Sequence, residues 1–256
     1  MFLINSFIKH RFKSIGLRSV HSPYLYNLYY SLLHPKALDI NSIEKIKSLD
    51  RKLRQDKQIL SFNEVGSRSG HIKSKVSEVY KRTASPLKDV MRLSELASQF
   101  DGNNILEMGT AFGTTSLAMS FAAKKSKIFT LEGVPEIAAI AKENFIRLKA
   151  DNIILAEGLF YDTLPEIVKN EKDFGLVFID GHHSYKPTID YLEMTLPILC
   201  EKAIVVLDDI YYSREMLKCW NELQSHPAFK VKIDFFHFGI LVKNNDLSEQ
   251  CYKLRL

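Results

Sequence analysis

The chain has 256 residues, of which 46% are apolar, so it is long enough to enclose a full hydrophobic core. No apolar run approaches the ~20 residues that span a bilayer, and no leader with a cleavage site is recognisable, so we expect a cytoplasmic protein. The three cysteines are odd in number and widely spaced, which fits neither a disulfide framework nor a metal knuckle.

The net charge of +5 is unevenly distributed along the chain. Residues 1–90 contain 17 Lys and Arg against 7 Asp and Glu, whereas residues 91–256 contain 18 against 23. A basic front segment can attract an anionic substrate, nucleic acid or a membrane surface. The same residues also suit solvated helix faces, because Lys and Arg are ordinary surface residues. Both interpretations stay open at this point.

The first 90 residues have mainly helical patterns. Apolar periodicity predicts helices over residues 2–12, 22–33 and 40–57, followed by an irregular loop in SFNEVGSRSGHIKS, residues 61–74. Ser85 and Pro86 suit the cap and first turn of a new helix. We therefore expect a helical N-terminal cap over residues 1–85 and a main domain over residues 86–256.

From Asn103 onward, short apolar runs alternate with helical patterns. This rhythm is typical of βα units around a parallel sheet, and its strand candidates are NNILEMG, KIFTLEG, NIILAEG, FGLVFID and AIVVLDD. A helix is predicted over residues 213–223, and residues 229–244 predict a closing antiparallel hairpin. The sequence thus predicts an α/β fold with a mostly parallel sheet and helices on both faces.

The stretch ILEMGTAFGTTSLAMS, residues 105–120, is the most informative in the chain. A strand is followed by Glu107, then by Gly109 and Gly113 in a tight turn that enters a helix. Glycines let the backbone approach a ligand closely, and a helix N-terminus offers unpaired N–H groups. The spacing Glu-x-Gly-x-x-x-Gly is one residue wider than the dinucleotide pattern. Glu132 ends the next strand, where a carboxylate can accept hydrogen bonds from both hydroxyls of a ribose.

With these motifs the chain resembles class I S-adenosylmethionine-dependent methyltransferases over roughly residues 86–243. Within that family it is most similar to catechol-type small-molecule O-methyltransferases and to bacterial relatives that carry Asp-Gly-x-His-Ser-Tyr, here residues 180–185. The resemblance implies a Rossmann-like sheet of seven strands whose last strand is antiparallel. It also implies that S-adenosylmethionine is the cofactor.

The resemblance assigns cofactor-binding roles to several residues. It implies that Glu132 holds the ribose, that Asp180 also lies at the cofactor, and that Gly158 and Leu159 contact the adenine. The family often carries an acid or amide at the position of Leu159, so adenine recognition here would rest on backbone groups or on Asp162. The residues implied to surround the methionine part are Glu107, Gly109, Thr110, Gly113 and Thr114.

The stretch VFIDGHHSYK, residues 177–186, ends an apolar strand on Asp180. Metal-dependent family members carry an Asp after the fourth strand and an Asp-Asn pair after the fifth, so the resemblance implies a Mg²⁺ site at Asp180, Asp208 and Asp209. Asp209 replaces the usual Asn and could equally cap a helix or contact substrate. His183 stands where those enzymes carry a catalytic Lys. Because the ordinary pKa of histidine is near ~6.5, His183 suits removal of a proton from a hydroxyl.

We therefore expect an S-adenosylmethionine-dependent methyltransferase that acts on a hydroxyl of a small molecule, with His183 as general base and Asp180 beside it. Residues 1–90 would cover the site. Two alternatives remain open: methylation of RNA such as tRNA, supported only by the basic front segment, and a noncatalytic cofactor-binding protein that retains the fold. A homodimer is also left open, and the sequence does not name the methyl acceptor.

Overall fold

The computed structural model describes residues 2–63 and 70–256. It divides the chain into two compact units: a terminal unit, formed by Met1–Leu33 and Ile167–Leu256, and a central unit, formed by His34–Glu166. The fold is α/β, with mostly parallel strands, flanking helices and an antiparallel hairpin near the C-terminus, as the sequence predicts. Among the described residues, no helix is both long enough and apolar enough to cross a membrane.

The predicted helices of the first 57 residues and the one predicted at 213–223 are confirmed to within two residues. Local capping explains two of their boundaries, because the side chains of Asp39 and Ser213 accept hydrogen bonds from the N–H groups of Ser42 and Met216. The helices are α1 Phe2–Lys13, α2 Pro23–Leu33, α3 Ile40–Gln55, α4 Val76–Thr83, α5 Leu87–Ser98, α6 Thr114–Ala122, α7 Pro135–Leu148, α8 Phe160–Asn170, α9 Tyr185–Thr195 and α10 Arg214–Leu223.

Each strand candidate from Asn103 onward is a strand in the structure. The strands are β1 Ile59–Asn63, β2 His71–Lys75, β3 Asn104–Met108, β4 Ile128–Glu132, β5 Ile153–Glu157, β6 Phe174–Ile179, β7 Leu199–Asp208, β8 Val231–Asp234, β9 Phe238–Lys243 and β10 Gln250–Lys253. In the central unit β4 pairs in parallel with β3 and with β5. In the terminal unit the order is β10-β8-β9-β7-β6, and β9 is antiparallel to both its neighbours.

Two features of the strands differ from the sequence-based expectation. The loop predicted over residues 61–74 is wrong for its described residues, because β1 and β2 pair as an antiparallel hairpin. Leu60 and Phe62 are buried, whereas Ile59, Ser61 and Asn63 are exposed. The alternation of a half-buried strand was therefore present in the sequence. Residues 64–69 lie outside the described part of the chain. Strand β10, parallel to β8, is an additional strand beyond the seven predicted.

The core of the central unit contains residues from both sides of the predicted boundary at residue 85. Buried side chains of α3, β1 and α4 share one apolar cluster with those of α6 and α7; these include Leu49, Leu53, Phe62, Val79, Tyr80, Phe112, Leu117 and Phe145. Phe112 belongs to the glycine-rich turn after β3, so this core supports that turn directly. The division into a covering cap and a main domain stays a prediction.

Candidate functional site

The glycine-rich turn between β3 and α6 has a backbone that side chains rarely permit. Gly109 and Gly113 have φ angles of 112° and 83°, in the left-handed region. A Cβ on Gly113 would lie 2.3 Å from Cε1 of Phe145 on α7, far inside contact distance. The N–H of Gly113 donates to the carbonyl of buried Thr110 at 2.8 Å, which closes the turn. Backbone conformation therefore favours glycine at both positions, and at Gly113 the space beside Phe145 requires it as well.

Glu107 lies at the base of this turn and is completely buried. Its Oε2 accepts hydrogen bonds from the hydroxyls of Ser116 and Thr130, the latter at 2.6 Å. Its Oε1 has no hydrogen-bond partner among the described residues. Burial raises the pKa of Glu107 to about 7, although the two hydroxyl hydrogen bonds oppose the rise. A buried acceptor without a donor is costly, so Oε1 suits a donor that a ligand supplies.

Two of the partners of Glu107 were missed by sequence reasoning. Ser116 is one of several hydroxyl residues of α6, and Thr130 lies between the apolar residues Phe129 and Leu131 of β4; both are buried. Thr130 also lies 2.6 Å from the hydroxyl of Thr110, so the predicted cofactor residues Glu107 and Thr110 belong to one hydrogen-bond network. For Thr130 the sequence signal was a hydroxyl residue within an apolar strand.

Glu132, the last residue of β4, connects two loops of the central unit. Its Oε2 accepts from the N–H of Ala111 and its Oε1 from the N–H of Val134, both at 2.9 Å. Burial raises the pKa of Glu132, while the backbone N–H groups of Val134, Ala111 and Gly133 oppose that rise. A carboxylate has about four acceptor positions. Glu132 can therefore hold the turn in place and still accept hydrogen bonds from ribose hydroxyls.

The remaining predicted cofactor residues of the central unit are Gly158, Leu159 and Thr114. Gly158 has a φ of 139°, and its N–H donates to the carbonyl of Glu132 at 2.9 Å, which joins the end of β5 to the end of β4. The side chain of Leu159 is 46% exposed, which leaves an apolar surface beside that junction. The hydroxyl of Thr114 lies 3.3 Å from that of Tyr80, so Thr114 has a structural partner.

In the terminal unit, the segment after β6 brings Asp180 and His183 together. Nε2 of His183 lies 3.5 Å from Oδ1 of Asp180, and both side chains are mostly buried. The backbone is in the left-handed region at His182, His183 and Asp209, with φ angles of 60°, 36° and 52°. Such conformations cost free energy for residues with side chains and concentrate at functional sites.

Electrostatics favour a neutral His183. Burial lowers its pKa below the usual 6.5, and the negative charge of Asp209 opposes that decrease. The ring of Tyr212 lies 5.5 Å from the His183 ring, between centroids. His182 is different, because its Nδ1 lies 2.9 Å from the hydroxyl of Tyr191 on α9. His183 lies beside a carboxylate, since its Nε2 is 3.5 Å from Oδ1 of Asp180.

Asp208 ends β7, and Asp209 follows it, at the places the sequence predicts. The oxygen donors would suit Mg²⁺. Within residues 2–63 and 70–256, however, no group of three or more His, Cys, Asp and Glu side chains has an arrangement that could hold a metal ion. Metal binding at Asp180, Asp208 and Asp209 therefore stays a prediction, and no step proposed below depends on it.

A protein-family model described as a methyltransferase domain matches residues 106–210, from β3 through β7. This match agrees with the predicted methyltransferase, and every predicted site residue from Glu107 to Asp209 lies within the matched residues. A search of curated protein sequences found no match.

Solved structures with a similar fold include three cofactor-bound proteins. Cofactor-bound Rv0187 from MTB has a TM-score of 0.59 and 19% identity, and the match covers 89% of this chain and all of that one. The O-methyltransferase from Bacillus cereus in complex with SAH has a TM-score of 0.58 and 16% identity, and the match covers 84% of this chain and 96% of that one. The O-methyltransferase TomG from Streptomyces achromogenes, in complex with SAM, has a TM-score of 0.59 and 17% identity, and the match covers 85% of this chain and 95% of that one. At these identities the similarity establishes the fold.

Proposed function

We propose that the chain is an S-adenosylmethionine-dependent methyltransferase that methylates a hydroxyl of a small molecule. The observation that carries the proposal is the buried Oε1 of Glu107, an acceptor without a partner among the described residues, at the base of the glycine-rich turn. An ammonium group such as that of the cofactor's methionine part satisfies this acceptor. The O-methyltransferases of similar fold, which hold SAM or SAH, support both the cofactor and the hydroxyl acceptor.

The central unit supplies the cofactor-binding groups. Gly109 and Gly113 let the backbone approach the ligand without steric hindrance, and Glu132 accepts hydrogen bonds from the ribose while its backbone contacts keep it in place. Gly158 and the exposed side chain of Leu159 would contact the adenine when the cofactor is bound. When bound, S-adenosylmethionine supplies a methyl group on a sulfonium, which is reactive toward an oxygen nucleophile.

The terminal unit supplies the proton acceptor. His183 takes the proton of the acceptor hydroxyl, and it is ready to do so at neutral pH because burial keeps its pKa below 6.5. The carboxylates of Asp180 and Asp209 stabilise the imidazolium that forms, the first from 3.5 Å and the second through its charge. A further role for Asp180 at the cofactor stays a prediction, as do the homodimer and the cytoplasmic location.

Calorimetric titration of the full chain with S-adenosylmethionine and with S-adenosylhomocysteine tests the proposal. Both should bind, and Glu132→Ala should weaken binding by ~1–3 kcal/mol if its carboxylate is paired with the ribose. Glu157→Ala is the matched control, because Glu157 ends the neighbouring strand β5 and is exposed. Absence of binding at millimolar cofactor, or an equal loss for both variants, would contradict the proposal.

A further inference from the structure

Helix α1 turns its apolar residues outward. Its buried residues, Ser6 and His10, are polar. Ile4 and Phe12 are 64% and 86% exposed, and three further large apolar side chains of this helix are exposed as well: Leu3, Phe7 and Ile8. A surface helix of a soluble domain normally shows the opposite pattern, with apolar residues facing the core.

A buried contact between His10 and Asp234 fixes the orientation of α1. Nε2 of His10 lies 3.0 Å from Oδ1 of Asp234 and 3.1 Å from the Asp234 carbonyl oxygen, and both residues are buried. The ring of Phe7 packs edge-on against Phe236, with centroids 5.2 Å apart. If α1 rotated about its axis, His10 would move away from Asp234, and the buried carboxylate would lose that partner. The outward apolar surface is therefore a property of the folded unit.

Ile4, Ile8 and Phe12 recur at intervals of four residues and so lie along one side of α1, here called the apolar row. Lys9 and Arg11 are exposed positions of the same helix, and Lys13 follows at its end. Residues 1–38 contain no Asp or Glu at all. Among residues 1–38, the charged residues that accompany the apolar row are therefore all basic.

We propose that α1 docks on an anionic lipid bilayer surface, with the apolar row inserted at the boundary of the acyl chains and Lys9 and Arg11 at the headgroups. This combination of aromatic and aliphatic side chains with basic residues is what binding in the plane of a membrane interface requires. Attraction of each basic residue to anionic lipid adds to the apolar contribution. The inference does not depend on the methylation reaction.

Charge separates the lipid surface from two other occupants. In a symmetric dimer through α1, a two-fold axis would bring the same basic surface of two copies together, with no acid in residues 1–38 to compensate. RNA would use the basic residues, but binding driven by phosphates does not use exposed aliphatic side chains such as Ile4 and Ile8. The bilayer surface uses both.

The experiment is sedimentation of the full chain with vesicles of phosphatidylcholine alone and of phosphatidylcholine mixed with phosphatidylserine. We expect binding to the anionic vesicles that weakens as salt is added. Ile8→Ser or Phe12→Ser should weaken it by about 10-fold or more, as loss of a buried apolar side chain requires. Arg11→Glu should also weaken it by about 10-fold.

Two control variants make the same kinds of change away from α1, one on α7 and one on α8. Ile146→Ser alters an apolar side chain that is 71% exposed on α7, and Lys169→Glu reverses an exposed charge on α8. Neither should change vesicle binding. Equal effects of control and α1 variants would overturn the proposal. So would a dimer that Phe12→Ser converts to a monomer without vesicle binding, or RNA binding that Arg11→Glu abolishes and Phe12→Ser leaves intact.

Discussion

Replacing Asp234 with Asn should destabilise the terminal unit through a cluster of buried charges. Asp234 ends β8, and its side chain is 1% exposed. It lies 3.0 Å from His10 and accepts hydrogen bonds from the hydroxyl of Tyr211, at 2.8 Å, and from the ammonium of Lys253. These partners come from α1, from the segment after β7 and from β10, so one carboxylate connects three parts of the unit.

The size of the effect follows from the pKa of this carboxyl group. Burial alone would raise it, but hydrogen bonds from His10 and Lys253, together with their charges, lower the pKa of Asp234 from 3.8 to about 2. At 1.36 kcal/mol per pKa unit, this difference corresponds to roughly 2 kcal/mol of folding free energy. Because the folded pKa is the lower one, that stability is fully present above about pH 4 and is lost as the pH falls toward about 2. Removing the charge from a buried ion pair can cost about 3–5 kcal/mol, since the partner charges remain.

Urea unfolding followed by tryptophan fluorescence measures this directly, because Trp220 is the single tryptophan and is buried in the terminal unit. Asp234→Asn should lower the free energy of unfolding at pH 7 by roughly 2–5 kcal/mol and should remove that part of the acid sensitivity between pH 4 and 2. The control is Asp246→Asn, whose carboxylate pairs with Lys202 on the surface and should cost less than about 1 kcal/mol. Equal costs for the two variants, or an unchanged acid profile for Asp234→Asn, would refute the reasoning.

The remaining predictions concern the candidate site. Gly113→Ala should destabilise the central unit and weaken cofactor binding, because its Cβ would lie 2.3 Å from the ring of Phe145. Gly16→Ala is the control, since a Cβ there has open space, and it should have neither effect. Thermal melts measure the stability and calorimetric titration measures the binding. His183→Ala should lower turnover by ~10²–10⁴-fold with little change in cofactor affinity. Since burial lowers the pKa of His183, the wild-type rate should be level above pH 7 and decrease below about pH 6.5 as the ring gains a proton; a rate independent of pH would exclude it as the base. If the three predicted aspartates hold Mg²⁺, a chelator should abolish activity and Mg²⁺ should restore it, whereas unchanged activity would assign them to capping or substrate binding.

Much of the fold and of the cofactor site could be predicted because the signals are local. Apolar runs that end in an acid or a glycine mark β3 to β7, and the position of Ser213 marks the start of α10. Gly109, Gly113 and Gly158 all have positive φ angles, as expected for glycines in tight turns at strand ends. Such features depend on a few consecutive residues, so the sequence alone carries them.

Other features were decided only by the tertiary structure. The partners of Glu107 come from α6 and β4, and the hairpin β1–β2 lies in a stretch whose Ser and Gly content indicates a loop. Asp180, Asp208 and Asp209 are at the predicted strand ends, but strand ends alone do not determine whether three carboxylates gather into a ligand set.

The orientation of α1 is the clearest case. Its sequence predicts a helix, and the apolar residues of a surface helix are expected to face the core. Their exposure follows from the pairing of His10 with Asp234, two residues separated by 224 positions in the chain. Helical periodicity determines which side chains share a face, whereas the direction of that face depends on contacts with distant residues, because a buried charge must keep its partner.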